Sequence, residues 1–265
     1  MKPAKLGQHF LVNKNAAEKM VGIFLPTAGA ILEIGPGKGI LTDLLIKYRG
    51  KNKITAVELD DALYFNLKEK YKNEEDVEIL NRDILEIDLA SHFPGENEMV
   101  NVIGNVPYYI SRELIDWLIS HHNKIKKGMF MMQKEFVDKL MEKKGSKQSN
   151  ARAILFNGLF QLEKMFNVQP GSFSPLPKVK SSVFLFERRV DGVFTSIKGG
   201  IDIDDFCLFL RQCFQNRRKT LFNNLNAVSF DMETLRKIFA KQRIDPKIRA
   251  EQLNLEDFLE IYRSC

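Results

Sequence analysis

The chain is poor in the residues that staple or metallate a fold. Cys207, Cys213 and Cys265 are its 3 cysteines in 265 residues. They are too few and too scattered for a disulfide framework or a zinc site. The four histidines, His9, His92, His121 and His122, lack metal-ligand spacing, so no metal is expected. This cysteine usage fits a reducing, cytoplasmic setting. No run approaches the ~20 uninterrupted apolar residues of a membrane span. The N-terminal stretch has neither the apolar core nor the cleavage site of a secretory leader, and no transit peptide is seen. Repeats and low-complexity segments are absent. What is present is 44% hydrophobic content, enough for one large domain and a small one. The net charge of +6 points toward a polyanionic partner. Basic residues cluster at Lys124 to Lys127, at Lys143-Lys144 with Lys147, at Lys178 with Lys180, and at Arg217-Arg218-Lys219.

The most informative stretch is Asn105-Val106-Pro107-Tyr108, directly after the apolar run Met99 to Ile103. An Asn-x-Pro-aromatic turn at a strand end suits the holding of a planar exocyclic amine. The Asn105 side-chain oxygen and the Val106 carbonyl can both accept from one NH2 group. Pro107 has a fixed φ and no N–H, so it pins that carbonyl. Tyr108 offers a flat face for a base. The nitrogen of adenine N6 is a poor nucleophile because its lone pair is delocalised into the ring. Two acceptors aimed at its protons push it toward tetrahedral geometry and localise that pair.

Upstream, the apolar run Ala30 to Ile34 enters Gly35-Pro36-Gly37-Lys38-Gly39 and then an amphipathic helix. Glycines permit positive φ and close approach of a ligand, and the helix N-terminus favours negative charge. The G-x-G-x-G spacing differs from the G-x-G-x-x-G of a dinucleotide site, which disfavours a dehydrogenase. Glu58 ends a second strand about 20 residues later, where a ribose-binding acid is expected. Asp83 follows a third strand, placed to accept from the N6 amine of an adenine ring. Each feature falls at the carboxyl end of a strand, where ligands bind in open α/β sheets.

Strand patterns at 30–34, 53–58, 77–80, 99–104 and 127–132 alternate with helix patterns at 15–24, 39–49, 61–72, 111–121, 134–143 and 149–161. This order predicts a mostly parallel, doubly wound sheet. Residues 162–169 and 181–188 alternate apolar and polar, and predict a hairpin capping that sheet. Glycines at 192, 199 and 200 mark a boundary, giving domains 1–190 and 191–265. Beyond it a 3.6-residue period predicts helices at 203–214, 217–226, 231–241 and 255–263.

These residues together resemble the KsgA (RsmA) family of ribosomal RNA adenine N6,N6-dimethyltransferases, nearly end to end. Leu6-Gly7-Gln8-His9-Phe10-Leu11 looks like the family's opening signature. The glycine turn, Glu58-Leu59-Asp60, Asp83-Ile84-Leu85 and Asn105-Val106-Pro107-Tyr108 match its motifs in order. Ser172 to Val179 resembles its Pro-rich loop, and Gln215 to Leu221 its basic C-terminal helix.

The resemblance implies an α/β fold, a seven-stranded Rossmann-like class I methyltransferase sheet with a small all-helical C-terminal domain. It implies S-adenosyl-L-methionine as cofactor, contacted by His9, Leu11, Gly35, Gly37, Glu58, Asp83 and Asn105. The implied reaction is in-line methyl transfer, twice per adenosine, onto two adjacent adenosines in the 3'-terminal hairpin loop of 16S rRNA, within the immature small ribosomal subunit. A monomer is expected. Phe173 is the expected second face of an adenine sandwich with Tyr108, and Arg217, Arg218 and Lys219 are the expected RNA contacts, on one helical turn. Val106 stands where the family usually has Leu, and Tyr109 where bacterial members usually have Asn; the latter departure is expected to reshape the target pocket. Two alternatives remain, an Erm-type 23S rRNA methyltransferase and, from another class, a non-catalytic ribosome-assembly factor.

Overall fold

The computed structural model describes residues 8–25, 29–95, 98–142, 150–190, 194, 201–227 and 231–264. The chain forms two compact units. One comprises Met1–Val137 with Gln161–Arg188, the other Asp138–Phe160 with Arg189–Cys265. Both are discontinuous along the chain, whereas the sequence places a single boundary at 190–191. Most of 191–200, where that boundary was read, lies outside the described residues, as do Lys143, Lys144, Lys147, Leu6 and Gly7.

Among the described residues there are nine strands: β1 (Phe10–Leu11), β2 (Ala30–Ile34), β3 (Ile54–Glu58), β4 (Val77–Asn81), β5 (Val100–Asn105), β6 (Ile125–Gln133), β7 (Phe160–Val168), β8 (Phe173–Ser174) and β9 (Ser181–Arg188). Seven of them form one sheet in the order β4-β3-β2-β5-β6-β9-β7. The pairs from β4 through β6 are parallel, and β9 runs antiparallel to β6. The predicted terminal hairpin is thus the β9-β7 edge of the sheet. Strands β2 and β3 are buried along their whole length, which explains why they are mostly apolar. From β2 the chain winds outward through β3 and β4, then returns to β5 on the other side. That reversal between β2 and β5 is the topological switch point, where open α/β sheets bind ligands. The glycine turn, Glu58 and Asn105 end β2, β3 and β5 on the same edge.

Helix Lys14–Phe24 buries Ala17, Met20, Val21 and Phe24, and helix Ile40–Tyr48 buries Leu41 and Leu45. They share a core with Ile31, Ile103, Met129 and Met131 from the strands. Each fully buried side chain of this size stabilises the fold by about 1.5–3 kcal/mol. The two-residue strands β1 and β8 pair antiparallel, with Leu11 opposite Phe173. Asn13 reinforces that pairing. Its side chain caps the first helix through Ala16 N–H and donates to Ser172 Oγ at 3.1 Å. The N-terminal strap is therefore fastened beside the Pro-rich loop.

The second unit includes helices Ala151–Leu159, Ile203–Cys213, Leu221–Asn226, Met232–Lys241 and Leu255–Ser264. Phe206, Leu210, Leu225, Phe239 and Phe258 are buried within it. Gly158 lets the first of these helices approach the last, since a Cβ there would lie 2.5 Å from Leu255 Cδ2. The predicted helix over 217–226 is shorter than expected. It begins at Leu221, because Thr220 caps it by accepting from Asn223 N–H. Asn216 folds the preceding residues into a turn, its side chain accepting from Arg218 N–H and its carbonyl from Lys219 N–H. Arg217, Arg218 and Lys219 thus lie in a turn and not on a helix; all three are exposed.

Gly104, one residue before Asn105, has no room for a side chain. A Cβ there would stand 2.5 Å from the Ile34 carbonyl oxygen on neighbouring β2. Gly104→Ala is expected to force apart the strand ends that carry Gly35 and Asn105, destabilising the protein by about 1–3 kcal/mol. Urea unfolding checks this; an unchanged midpoint would mean that the two strands accommodate the methyl group without cost.

Candidate active site

The glycine turn is a backbone device. Gly35, Gly37 and Gly39 have φ of 65°, 59° and 83°, in the left-handed region that disfavours side chains. At Gly37 a Cβ would also meet the Phe10 ring at 3.0 Å. The turn amide of Gly37 donates to Glu58 Oε2 at 3.0 Å, and Asp60 N–H donates to Glu58 Oε1 at 3.0 Å. Each carboxylate oxygen keeps acceptor capacity after one such bond. Glu58 is therefore fixed in orientation and still able to accept two hydroxyls. Its burial pushes its pKa up, against the pull of those two N–H donors.

Next to it, Asn81 Nδ2 donates to the Glu58 carbonyl at 3.2 Å, fastening the end of β4 to that of β3. Asp83 Oδ1 accepts from Leu85 N–H at 3.0 Å. Glu58, Asp60, Asn81, Asp83 and Tyr109 line one cavity of about 670 Å³, within the range of small-molecule sites.

A second, smaller pocket is lined by His9, Glu33, Gly37, Asn105, Val106 and Tyr108, among others. Gln8, Gly35, Glu58 and Pro107 line both, so the two are parts of one groove. Asn105 Nδ2 donates to the His9 carbonyl at 3.0 Å. With the NH2 end engaged, the Oδ1 end remains to accept. Val106 N–H donates to the Met131 carbonyl at 3.1 Å, so β5 holds its ladder up to the motif. Pro107 follows with φ −57° and ψ 132°. Tyr108 is held by a 2.8 Å hydrogen bond between its hydroxyl and Ser181 Oγ. Burial raises its pKa, so the phenol stays neutral. The His9 ring sits 5.6 Å from the Tyr108 ring, tilted by 40°, and its Nδ1 lies 2.8 Å from the Pro175 carbonyl.

Not every expected contact is placed in the groove. Phe173 is 2% exposed and packs in the core cluster with Leu11, Met131 and Val183. Pairing of β8 with β1 turns its ring inward, so the sandwich face expected of it is corrected to a core role. Leu11 is also a core residue, although it borders the smaller pocket. The basic run at 124–127 is largely structural. Lys124 Nζ donates to the Phe93 and Gly95 carbonyls at 3.0 and 2.9 Å, and Lys127 Nζ lies over the Phe24 ring, 5.6 Å from its centroid. Lys178 and Lys180 are exposed.

Sequence reasoning missed Glu33. It is fully buried in β2 and lines the smaller pocket. Its Oε2 accepts from Thr42 Oγ1 at 2.7 Å, while its Oε1 has no partner among the described residues. Burial pushes its pKa up to about 8, and the nearby Glu58 adds to this. The signal was present: an acid inside a fully buried apolar run needs a reason. A buried carboxyl with one unsatisfied oxygen, in a residue that lines the pocket, suits a cationic ligand group.

A parallel sheet reversed at its last strands, with a glycine turn, a buried acid ending β3 and an Asn-x-Pro-Tyr motif on one edge, defines a class I S-adenosylmethionine-dependent methyltransferase. Within that class the chain belongs to the ribosomal RNA adenine dimethylase family, whose sequence profile matches residues 2–265. It is 35% identical to the ribosomal RNA small subunit methyltransferase A of Koribacter versatilis, over 98% of this chain and 93% of that protein. Among solved structures, a dimethyladenosine transferase from Plasmodium falciparum shares the fold with a TM-score of 0.78 at 24% identity, over 96% of both chains. The 23S rRNA methyltransferase ErmE shares it with a TM-score of 0.68 at 21% identity, over 96% of this chain and 98% of that one. The protein is thus an S-adenosylmethionine-dependent rRNA adenine dimethyltransferase, as the motifs imply. Among the described residues, no helix is long and apolar enough to cross a membrane and no group of side chains is set to hold a metal ion.

Glu33 gives a stability signature. Its folded pKa of about 8 lies above the ordinary 4.5, so the folded state holds the proton more tightly than the unfolded one. Its contribution is whole below 4.5 and is lost as pH rises toward 8. Glu33→Gln is expected to gain stability relative to the parent across that window. Denaturant titrations at several pH values check this, and parallel curves for the two proteins would contradict it.

Proposed function

We propose that this enzyme dimethylates N6 of two adjacent adenosines in the 3'-terminal hairpin loop of 16S rRNA, acting as a cytoplasmic monomer on immature small ribosomal subunits. The observation that carries the chemistry is the anchored Asn105 amide, engaged through Nδ2 at the His9 carbonyl in a pocket that Val106 also lines. The small-subunit assignment draws on the relative from Koribacter versatilis and its name. The likeness to ErmE concerns the fold and does not favour a large-subunit target.

S-adenosylmethionine, when bound, supplies the methyl group from a sulfonium that is a good leaving group. The residues present fit it. Glu58 accepts from ribose hydroxyls, Asp83 accepts from an adenine amine, the glycine turn gives close backbone approach, and Glu33 offers its unpartnered oxygen to an ammonium. Asn105 Oδ1 and the Val106 carbonyl hold the two protons of the target amine and aim its lone pair along the groove. Tyr108 gives the target base a face to stack on. The base must leave its own stack to reach this pocket. No covalent enzyme intermediate is required, so the protein contributes position and electrostatics.

The N-terminal domain, residues 1–190, is assigned this chemistry, and residues 191–265 the grip on RNA. Arg217, Arg218 and Lys219 are exposed and close together on one turn. They suit phosphate contact without base readout.

Three outcomes follow from this reading. Asn105→Ala is expected to lower turnover by at least tenfold while the fold survives. Single-turnover rates measured beside cofactor affinity check it; near-parental rates would remove the amine clamp. Glu58→Ala is expected to weaken cofactor binding by ~1.5–3 kcal/mol, the value of a hydrogen bond to a charged group, as calorimetry on the folded variant would record. Replacing Arg217, Arg218 and Lys219 with Ala is expected to weaken binding to small-subunit particles. It should also flatten the log–log salt dependence by roughly 0.7–0.9 per lost contact, with cofactor affinity unmoved. An unchanged salt slope would make the turn a solvated surface and reopen the choice of subunit.

A further inference from the structure

Tyr109 stands next to Tyr108 but lines the other part of the groove. Tyr108 borders the smaller pocket with Asn105; Tyr109 borders the 670 Å³ cavity with Glu58 and Asp83. The cause is local. Residues Tyr108–Ile110 form one turn of 3-10 helix, in which successive side chains point about 120° apart because three residues complete a turn. The departure at this position therefore borders the cavity of Glu58 and Asp83 and not the pocket of Asn105.

We propose that Tyr109 is a wall of the adenosine cavity, its ring stacking on the purine of the cofactor between the acids that hold the ribose and the exocyclic amine. This rests on the assignment of that cavity to S-adenosylmethionine. Three observations converge on it. Tyr109 is 44% exposed and lines the cavity, so its side chain is accessible to a ligand there. Glu58 and Asp83 line the same cavity as Tyr109, and their charges raise its pKa after the larger effect of burial. Apolar groups of Val57, Ile84 and Ile110 line the same cavity, so a flat ring would meet apolar contact there. An asparagine at 109 offers no such face. The smaller pocket, where the target base meets Asn105, is not bordered by Tyr109.

Stacking makes a specific demand on the variants. The adenosine part is common to S-adenosylmethionine and S-adenosylhomocysteine, so the stable product serves as probe. Calorimetric titration of the full chain with S-adenosylhomocysteine is expected to show about tenfold weaker binding for both Tyr109→Asn and Tyr109→Leu, in keeping with the value of base–aromatic stacking. Tyr109→Phe keeps the ring and is expected to bind within about twofold of the parent. The KM for small-subunit RNA should not follow these changes. Two variants guard against a folding defect in either, and melting curves identify one. If Glu58→Ala loses affinity while both Tyr109 variants keep it, the stacking role is overturned and the cavity assignment stands. If only the RNA KM moves, Tyr109 serves the target base and the proposal is overturned. If none of the variants, Glu58→Ala included, alters S-adenosylhomocysteine binding, the cavity assignment itself falls.

Discussion

The hydrogen bond from Asn105 Nδ2 to the His9 carbonyl decides which end of the Asn105 amide is left to act. An asparagine free to rotate would present donor and acceptor alternately, and a donor aimed at an amine would repel it. The anchor is itself built. His9 belongs to a strap that is paired to the Pro-rich loop through β1 and β8 and is bound again by its ring at Pro175. Leu11 and Phe173 bury the pairing in the core of the sheet. Residues far apart in the chain thus converge to orient a single side chain.

Around that anchor the sheet does the arranging. Parallel strands deliver their carboxyl ends to one edge, so the glycine turn, Glu58, Asp83 and the Asn105 motif meet without a dedicated scaffold. Electrostatics then divides the groove. Glu58, which borders both parts, has each oxygen held by a backbone N–H group and is fit for hydroxyls in the larger one. The other carries Glu33, buried and with its pKa raised to about 8, one oxygen unpartnered. A carboxyl so poised gains from a cation placed beside it.

Much of this was legible in the residues. The sheet strands announced themselves as apolar runs ended by turns, and the acids at their ends could be read from position alone. What escaped had little or no local pattern. Strands of two residues, β1 and β8, show no periodicity, so the strap was invisible and Phe173 was read as an open loop side chain. The start of the helix at Leu221 was hidden because Arg217, Arg218 and Lys219 are themselves good helix formers, while Thr220 and Asn216 set the real boundary through their side chains. Lys124 and Lys127 read as charge, although their ammonium groups are used on backbone carbonyls and an aromatic face. Composition does not reveal which lysines are already engaged. Glu33 was in plain view, and the missing step was to ask why a buried strand contains an acid.

The central claim is that the amide oxygen of Asn105, held outward by His9, receives the target amine together with the Val106 carbonyl. A crystal structure of the protein with S-adenosylhomocysteine and a small-subunit hairpin RNA tests it most directly. The account predicts a flipped adenosine over Tyr108, with N6 about 2.7–3.2 Å from both Asn105 Oδ1 and the Val106 carbonyl oxygen, and the bond from Asn105 Nδ2 to His9 intact. An adenine whose N6 lies away from those two oxygens, or an Asn105 amide released from His9 and turned over, would contradict it.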